Sequence, residues 1–476
     1  MRTRTPQNRK FLEYMGSNWA TKKETLPKKA TVAKHAAKRR DAVAKAFKGK
    51  ILVFEAGAAK TRSNDTEYIY RSHSAFAHLT GWGSATVPDS VLVIDARGKT
   101  AKSVVFLRET AGHKSDEFFA NSAIGEFWVG KRPSVAQVAA LLDVETKSLT
   151  SYKAFIKTLP NEKIHNLNKD ESLAQFVSEL RLIKDDYEIA EMRKAVAASV
   201  KGFEAAAKSL KQAVGHPRGE RIVETAFYSQ ARIEGNGLGY ETISASGAHA
   251  CTLHWIVNNG PVKNGDLLLL DAGVEMDSLY TADITRTLPV NGKFTDVQRK
   301  IYEAVREAAD AAFAVAKPGA KFKDVHAAAM EVIAAKTAEW GLLPVSAERS
   351  LEPDQQFHRR WMVHGTSHHL GIDVHDCAQA RREMYMDGIV QPGMIFTIEP
   401  GLYFQPDDLT VPEEFRGIGV RIEDDILVTE DGAENLSAAL PRTADAVEAW
   451  LKPFHDAAAA QKQAAARAAS LNKKRK

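Results

Sequence analysis

A chain of 476 residues is too long for one ordinary hydrophobic core, and its 44% hydrophobic and 26% charged content excludes a disordered protein, so two globular domains are expected. No apolar run approaches the ~20 residues needed to span a bilayer, and the basic start lacks the apolar block of a signal peptide. Cys251 and Cys377 are the only cysteines, which excludes a disulfide scaffold and fits a reducing cytoplasm.

The net charge of +5 is unevenly spread: residues 1–50 hold 15 Lys or Arg against 3 Asp or Glu, and residues 456–476 hold 6 against 1. The 405 residues between them therefore carry −12. No aromatic residues interleave the C-terminal lysines, as a nucleic-acid platform would require. Solvated ends are expected, with neither nucleic acid nor membrane as a partner.

In chain order, residues 1–30 read as an irregular basic extension. Residues 31–179 read as a small α/β domain. It has an Ala-rich helix at 31–47, strands at 51–57, 90–95 and 102–107, and helices at 135–143 and 170–181. None of its clusters has ligand spacing, so its role is structural or substrate-shaping. A catalytic domain over 180–455 follows. It opens on a long helix, because Ile189, Met192, Val196, Val200, Phe203, Ala207 and Leu210 recur at spacings of three and four. Thr295 to Gln298 is a capping-box start for a second helix, which Lys317, Pro318 and Gly319 stop. A third helix is expected at about 322–339. Residues 456–476 are an Ala- and Lys-rich basic tail.

Between these helices lie strands that carry acids where acids are costly. Four leucines from Leu267 to Leu270 read as a buried strand ending at Asp271, and Asp283 falls in the next strand. Gly273 and the polar run Glu275 to Ser278 supply a hairpin connection. Glu399 follows the strand-like Phe396-Thr-Ile, and Glu423 falls within Val420-Arg-Ile-Glu-Asp-Asp-Ile-Leu-Val. Four acids on apolar strands, without a matching set of buried bases, call for a shared cation. His364, His368, His369 and His375 concentrate four of the fifteen histidines within twelve positions, and imidazole is a common metal ligand. Carboxylates and imidazole without thiolate suit Mn²⁺, with Co²⁺, Fe²⁺ or Zn²⁺ as alternatives. Structural Ca²⁺ is disfavoured by the histidine. The acids can bridge two ions ~3.5–4 Å apart.

With these residues in place, the chain resembles the pita-bread metallopeptidases, the superfamily of aminopeptidase P, prolidase and methionine aminopeptidase. Asp271, Asp283, His368, Glu399 and Glu423 match the family's five metal ligands one by one. The flanking sequences (Asp271-Ala-Gly-Val-Glu, His364-Gly-Thr-Ser-His-His-Leu-Gly, Ile398-Glu-Pro-Gly, Gly419-Val-Arg-Ile-Glu-Asp-Asp) are similar to the Xaa-Pro branch, aminopeptidase P and prolidase. The match covers roughly 180–450, with weaker similarity around Leu79-Thr-Gly-Trp.

The resemblance implies an α+β fold, a pita-bread catalytic domain preceded by a smaller α/β N-terminal domain. It implies an aminopeptidase that hydrolyses the bond between an N-terminal residue and a following proline, using two divalent metal ions, Mn²⁺ foremost, that activate a bridging hydroxide. Glu399 would shuttle the proton to the leaving nitrogen. His254 would lie at the proline side, His364 would stabilise the oxyanion and His375 would contact substrate. Arg421 would hold the acids in place. A homodimer or homotetramer is implied as well. Asp425 shares the face of Glu423, whereas Asp424 alternates away toward solvent, and His369 points away from His368. Asp373 and Asp376 are read as structural, and Trp255 as a core aromatic.

The rival is prolidase, confined to dipeptides. Residues 385–393 contain no arginine to clamp a terminal carboxylate, although Arg381 and Arg382 lie just upstream. That absence favours aminopeptidase P.

Overall fold

The computed structural model describes residues 8–456 except 21, 22, 114, 116 and 123; the expected tail at 456–476 thus lies, but for Asp456, outside the described residues. The described residues divide into two compact units between Leu180 and Arg181.

The first unit is built on a five-stranded mixed sheet. Its order is Glu145–Ser148, Lys102–Leu107, Val91–Asp95, Ile51–Glu55 and Ile164–Asn166. The two outer pairings are parallel and the inner ones antiparallel. Leu52, Phe54, Leu92, Ile94, Val105 and Leu107 form one face, packed with Val43, Phe76, Leu79, Trp82 and Leu142. Ile51, Val53, Val91, Val93, Val104 and Phe106 form the other, against Tyr152, Phe155 and Ile156. Covering on both faces explains why these strands read as unbroken apolar runs. The expected helices occur as Ala33–Ala46, Val135–Leu142 and Glu171–Glu179. The expected irregular stretch is not wholly irregular: Arg9–Met15 is a helix, capped by the Asn8 side chain accepting from the Phe11 amide.

The second unit places long helices around short antiparallel strands. Asp186–Ala213 starts at a capping box of Asp185 and Glu188, and Asp296–Val315 at one of Thr295 and Gln298. Phe322–Glu339 follows. Gly219–Glu234 is a further helix that the sequence reading missed; its N-terminus has no side-chain cap to announce it.

Ile284–Pro289, Leu267–Ala272 and Ile243–Ser246 form one three-stranded sheet, and Ile395–Ile398, Asp424–Val428 and Ala433–Asn435 form another. Gly401–Phe404 pairs with Ile418–Arg421. An isolated bridge between Thr285 and Glu423 joins the first sheet to the second half of the unit. Two acids shift from their expected places. Asp283 immediately precedes its strand, and Glu423 occupies the break between the strands ending at Arg421 and starting at Asp424. No helix among the described residues is long and apolar enough to cross a membrane.

Candidate metal centre and active site

One cavity of about 480 Å³ in the second unit is lined by Asp271, Asp283, His368, Glu399 and Glu423, and also by His254, His364, His375 and Arg421. All nine residues singled out from the sequence thus reach one space. Asp271 arrives on a strand opposite Thr285, and Asp283 immediately before the strand that pairs with it.

His368 arrives in extended geometry. The Leu370 amide donates to the Ile395 carbonyl, the Thr397 amide to that of His368, and the Glu399 amide to that of Thr366. This ladder aligns 366–370 with 395–399, so His364, His368 and Glu399 meet without a helix. His368 Nε2 lies 3.4 Å from Asp283 and 3.7 Å from Glu399, and His364 Nδ1 lies 3.6 Å from Glu399. The His368 and His375 rings are edge-on at 4.4 Å.

Asp283, His368 and Glu423 each offer a ligand atom within 4.8 Å of the others. The compact ligand set is therefore three residues, with Asp271 and Glu399 flanking it. Tyr240 Oη donates to Asp271 at 2.6 Å and also contacts Asp283. Arg421 Nη2 meets Asp271 at 2.5 Å, its Nη1 donates to Tyr403 Oη at 3.0 Å, and its Nε donates to Thr285 Oγ1 at 3.2 Å. Thr285 Oγ1 in turn donates to Glu423 at 2.7 Å. Tyr240, Thr285 and Tyr403 escaped the sequence reading, because a lone hydroxyl in a bend or on a strand carries no spacing signal.

The electrostatics are those of crowded buried acids. Burial, then the neighbouring carboxylates, push Glu423 well above its usual range. Burial also raises Asp271, against the pull of Arg421, and lifts Glu399 to about 7. Burial disfavours charged His368, but Asp283 and Glu399 outweigh it and raise the imidazole to about 9. His364, buried and facing Arg421, falls to about 3 and stays neutral. Such a site fits a divalent cation: four carboxylates converge where, among the described residues, Arg421 is the one lysine or arginine and His368 the one imidazole raised toward its charged form.

One side chain departs from expectation. Asp424 does not face solvent; it is 2% exposed and lies between Arg286 at 2.6 Å and Arg442 at 2.7 Å. Its strand is buried at every position, so alternation moves a side chain from one packed layer to another. Trp255, read as a core aromatic, does pack against the core outside the cavity lining, and its Nε1 donates to Glu220 at 2.9 Å. Other expectations hold. Asp425 accepts the Asp283 amide at 3.2 Å. His369 stacks on Phe322, and Asp376 pairs with Arg181 at 2.9 Å.

Residues 190–430 match the model for metallopeptidase family M24. The chain belongs to metallopeptidase family M24. Residues 36–166 of this M24 chain match the model of the aminopeptidase P N-terminal domain. It is 48% identical to Xaa-Pro aminopeptidase 1 of Streptomyces coelicolor, over 92% of this chain and 91% of the relative. It is 32% identical to the Xaa-Pro aminopeptidase of Escherichia coli, over 82% and 91%. A solved variant of Escherichia coli aminopeptidase P in complex with substrate aligns with a TM-score of 0.78 at 29% identity, covering 90% of this chain and 100% of that one. The expected pita-bread fold and the preference for aminopeptidase P over prolidase are borne out.

Proposed function

We propose that this M24 metallo-exopeptidase releases the first residue of peptides with proline in second position, acting on chains longer than dipeptides. The observation that carries this reading is the cavity itself, where Asp283, His368 and Glu423 cluster beside Glu399. Arg421 is the one Lys or Arg lining it among the described residues, and all three of its nitrogens are already engaged. Among the described residues no lysine or arginine of the lining is left to clamp a dipeptide's carboxylate. Arg382, upstream of Glu399, is turned to Asp387 at 3.0 Å instead.

Asp271, Asp283, His368, Glu399 and Glu423 would hold two divalent ions, for which we assign Mn²⁺ ahead of Co²⁺ and Zn²⁺. Bound there, the metals supply an activated water and polarise the scissile carbonyl. Glu399, beside His364 and His368, accepts the nucleophile's proton and returns it to the proline nitrogen, without which that amine leaves poorly. Neutral His364 receives the Tyr403 hydroxyl on Nε2 and gives its Nδ1 proton to the Gly365 carbonyl at 2.7 Å. The substrate oxyanion would accept a hydrogen bond from that Nδ1–H in place of the carbonyl, the proton staying on the imidazole. Arg421 and Tyr240 fix the acids before substrate arrives. His254 and His375 border the proline. Assembly as a homodimer or homotetramer and residence in the cytoplasm belong to the same reading; two buried free thiols agree with a reducing compartment.

The test compares Gly-Pro with a longer Xaa-Pro-Xaa peptide, with Mn²⁺ and after chelation. Metal-dependent release of the first residue from the longer peptide is expected. Cleavage confined to the dipeptide would overturn the assignment.

A further inference from the structure

Glu220 is fully buried at the second position of the Gly219–Glu234 helix, and nothing in the proposed chemistry uses it. Its carboxylate accepts four N–H donors. Oε1 takes the Ser246 amide at 2.9 Å and His249 Nδ1 at 2.7 Å; Oε2 takes the Gly260 amide at 2.6 Å and Trp255 Nε1 at 2.9 Å. Its own amide donates to the Gly260 carbonyl at 3.2 Å, and its carbonyl accepts Ser244 Oγ at 3.0 Å. A carboxylate out of water is tolerated when several donors and a helix N-terminus meet it.

Those four donors bracket a single loop. Ser246 and Gly260 are its ends, while His249 and Trp255 lie within it, stacked at 3.9 Å. Leu253, His254 and Ile256 line the metal cavity, and Trp255 between them turns the other way into the Glu220 network. A second brace comes from buried Asn258, held at φ 46, which accepts the Ser244 amide and donates to the Thr242 carbonyl. Ser244 pairs with Leu270, one residue before Asp271. The loop is thus fastened to the strand bearing a metal ligand. Gly260 is part of the same fit: a Cβ there would meet the His249 ring at 2.5 Å and Glu220 Oε2 at 2.9 Å.

We propose that Glu220 is a positioning residue that, through Trp255 and His249, holds His254 and Ile256 in the cavity wall to receive the substrate. It touches no reacting atom. The inference rests on the proposed Xaa-Pro hydrolysis and assigns its binding wall a mechanical origin. Trp255→Phe removes one donor and keeps the ring; Glu220→Gln and Gly260→Ala disturb the same network more strongly.

The experiment measures metal content, hydrogen exchange of the 247–260 amides, and kcat and KM on a longer Xaa-Pro-Xaa peptide. Expected for Trp255→Phe and Glu220→Gln are unchanged metal content, faster loop exchange and KM raised about tenfold, with kcat within about threefold. In a His254→Ala background, Glu220→Gln should add little, because its effect runs through that histidine. Wild-type KM despite faster exchange, or full additivity with His254→Ala, would overturn the proposal. Unchanged loop exchange in both variants overturns it whatever the turnover. Failure of the parent enzyme to cleave the peptide instead removes the Xaa-Pro reading, and the exchange data still report whether Glu220 holds the loop. If Glu220→Gln does not fold, Trp255→Phe alone decides.

Discussion

Glu399 shows how far one side chain is tuned by its surroundings. Its carboxyl is lifted from 4.5 to about 7 in the folded protein, by burial first and then by Asp283 and Asp271, against His368 and Arg421. The folded metal-free site therefore keeps a proton that the unfolded chain releases, so stability present below about 4.5 is lost as pH rises through about 7. His368, raised to about 9, and Asp271 and Glu423, raised by burial, act in the same direction. Several histidines that burial lowers, His364 among them, act the opposite way between about pH 5 and about pH 8. The carboxyl is therefore read by difference: chelated wild-type protein should lose more melting temperature from about pH 5 to about pH 8 than a Glu399→Gln variant, and loading with Mn²⁺ should narrow the gap. An equal change in the two chelated proteins over this range would contradict the arrangement. The candidate ligands themselves were legible because each is an acid or imidazole in apolar company. Tyr240 and Tyr403 were not, since a phenol is ordinary in a core until the partners of its hydroxyl are known.

At the scale of elements, Arg286 does for a strand junction what Arg421 does for the ligands. It is 1% exposed and donates to the carbonyls of Thr285, Glu423, Leu440 and Pro441 and to the carboxylate of Asp424. Arg286→Ala would leave Asp424 with Arg442 alone and strand several carbonyls, a loss of ~3–5 kcal/mol that denaturant unfolding would register. Unaltered stability would show that the junction is held otherwise. This arrangement also marks where periodicity stops being informative. Alternation correctly paired Asp425 with the face of Glu423, but it sent Asp424 to solvent because it cannot tell a covered face from an open one. Long helices with capping boxes at Asp185 and Thr295 announced themselves, whereas the uncapped helix from Gly219 did not. With that helix went Glu220, a single acid whose meaning lies wholly in four donors distant in sequence.

For the whole molecule, the bridge between Thr285 and Glu423 joins positions 138 residues apart, and the Arg421 to Asp271 contact spans 150. Contacts of such separation form late, after the entropy of closing the intervening chain has been overcome. The donor set for a cation thus exists only once both halves of the second unit have met. A metal recognising that set interacts with the native protein far more than with the barrier that precedes it. Divalent metal should accordingly leave the refolding rate unchanged and slow unfolding in proportion to the stability it adds. Stopped-flow refolding and dilution-triggered unfolding, with and without Mn²⁺, would separate the two. Metal-accelerated refolding would mean that the centre organises early. On the expected outcome the ion acts as a latch, lengthening the lifetime of a fold it had no part in finding.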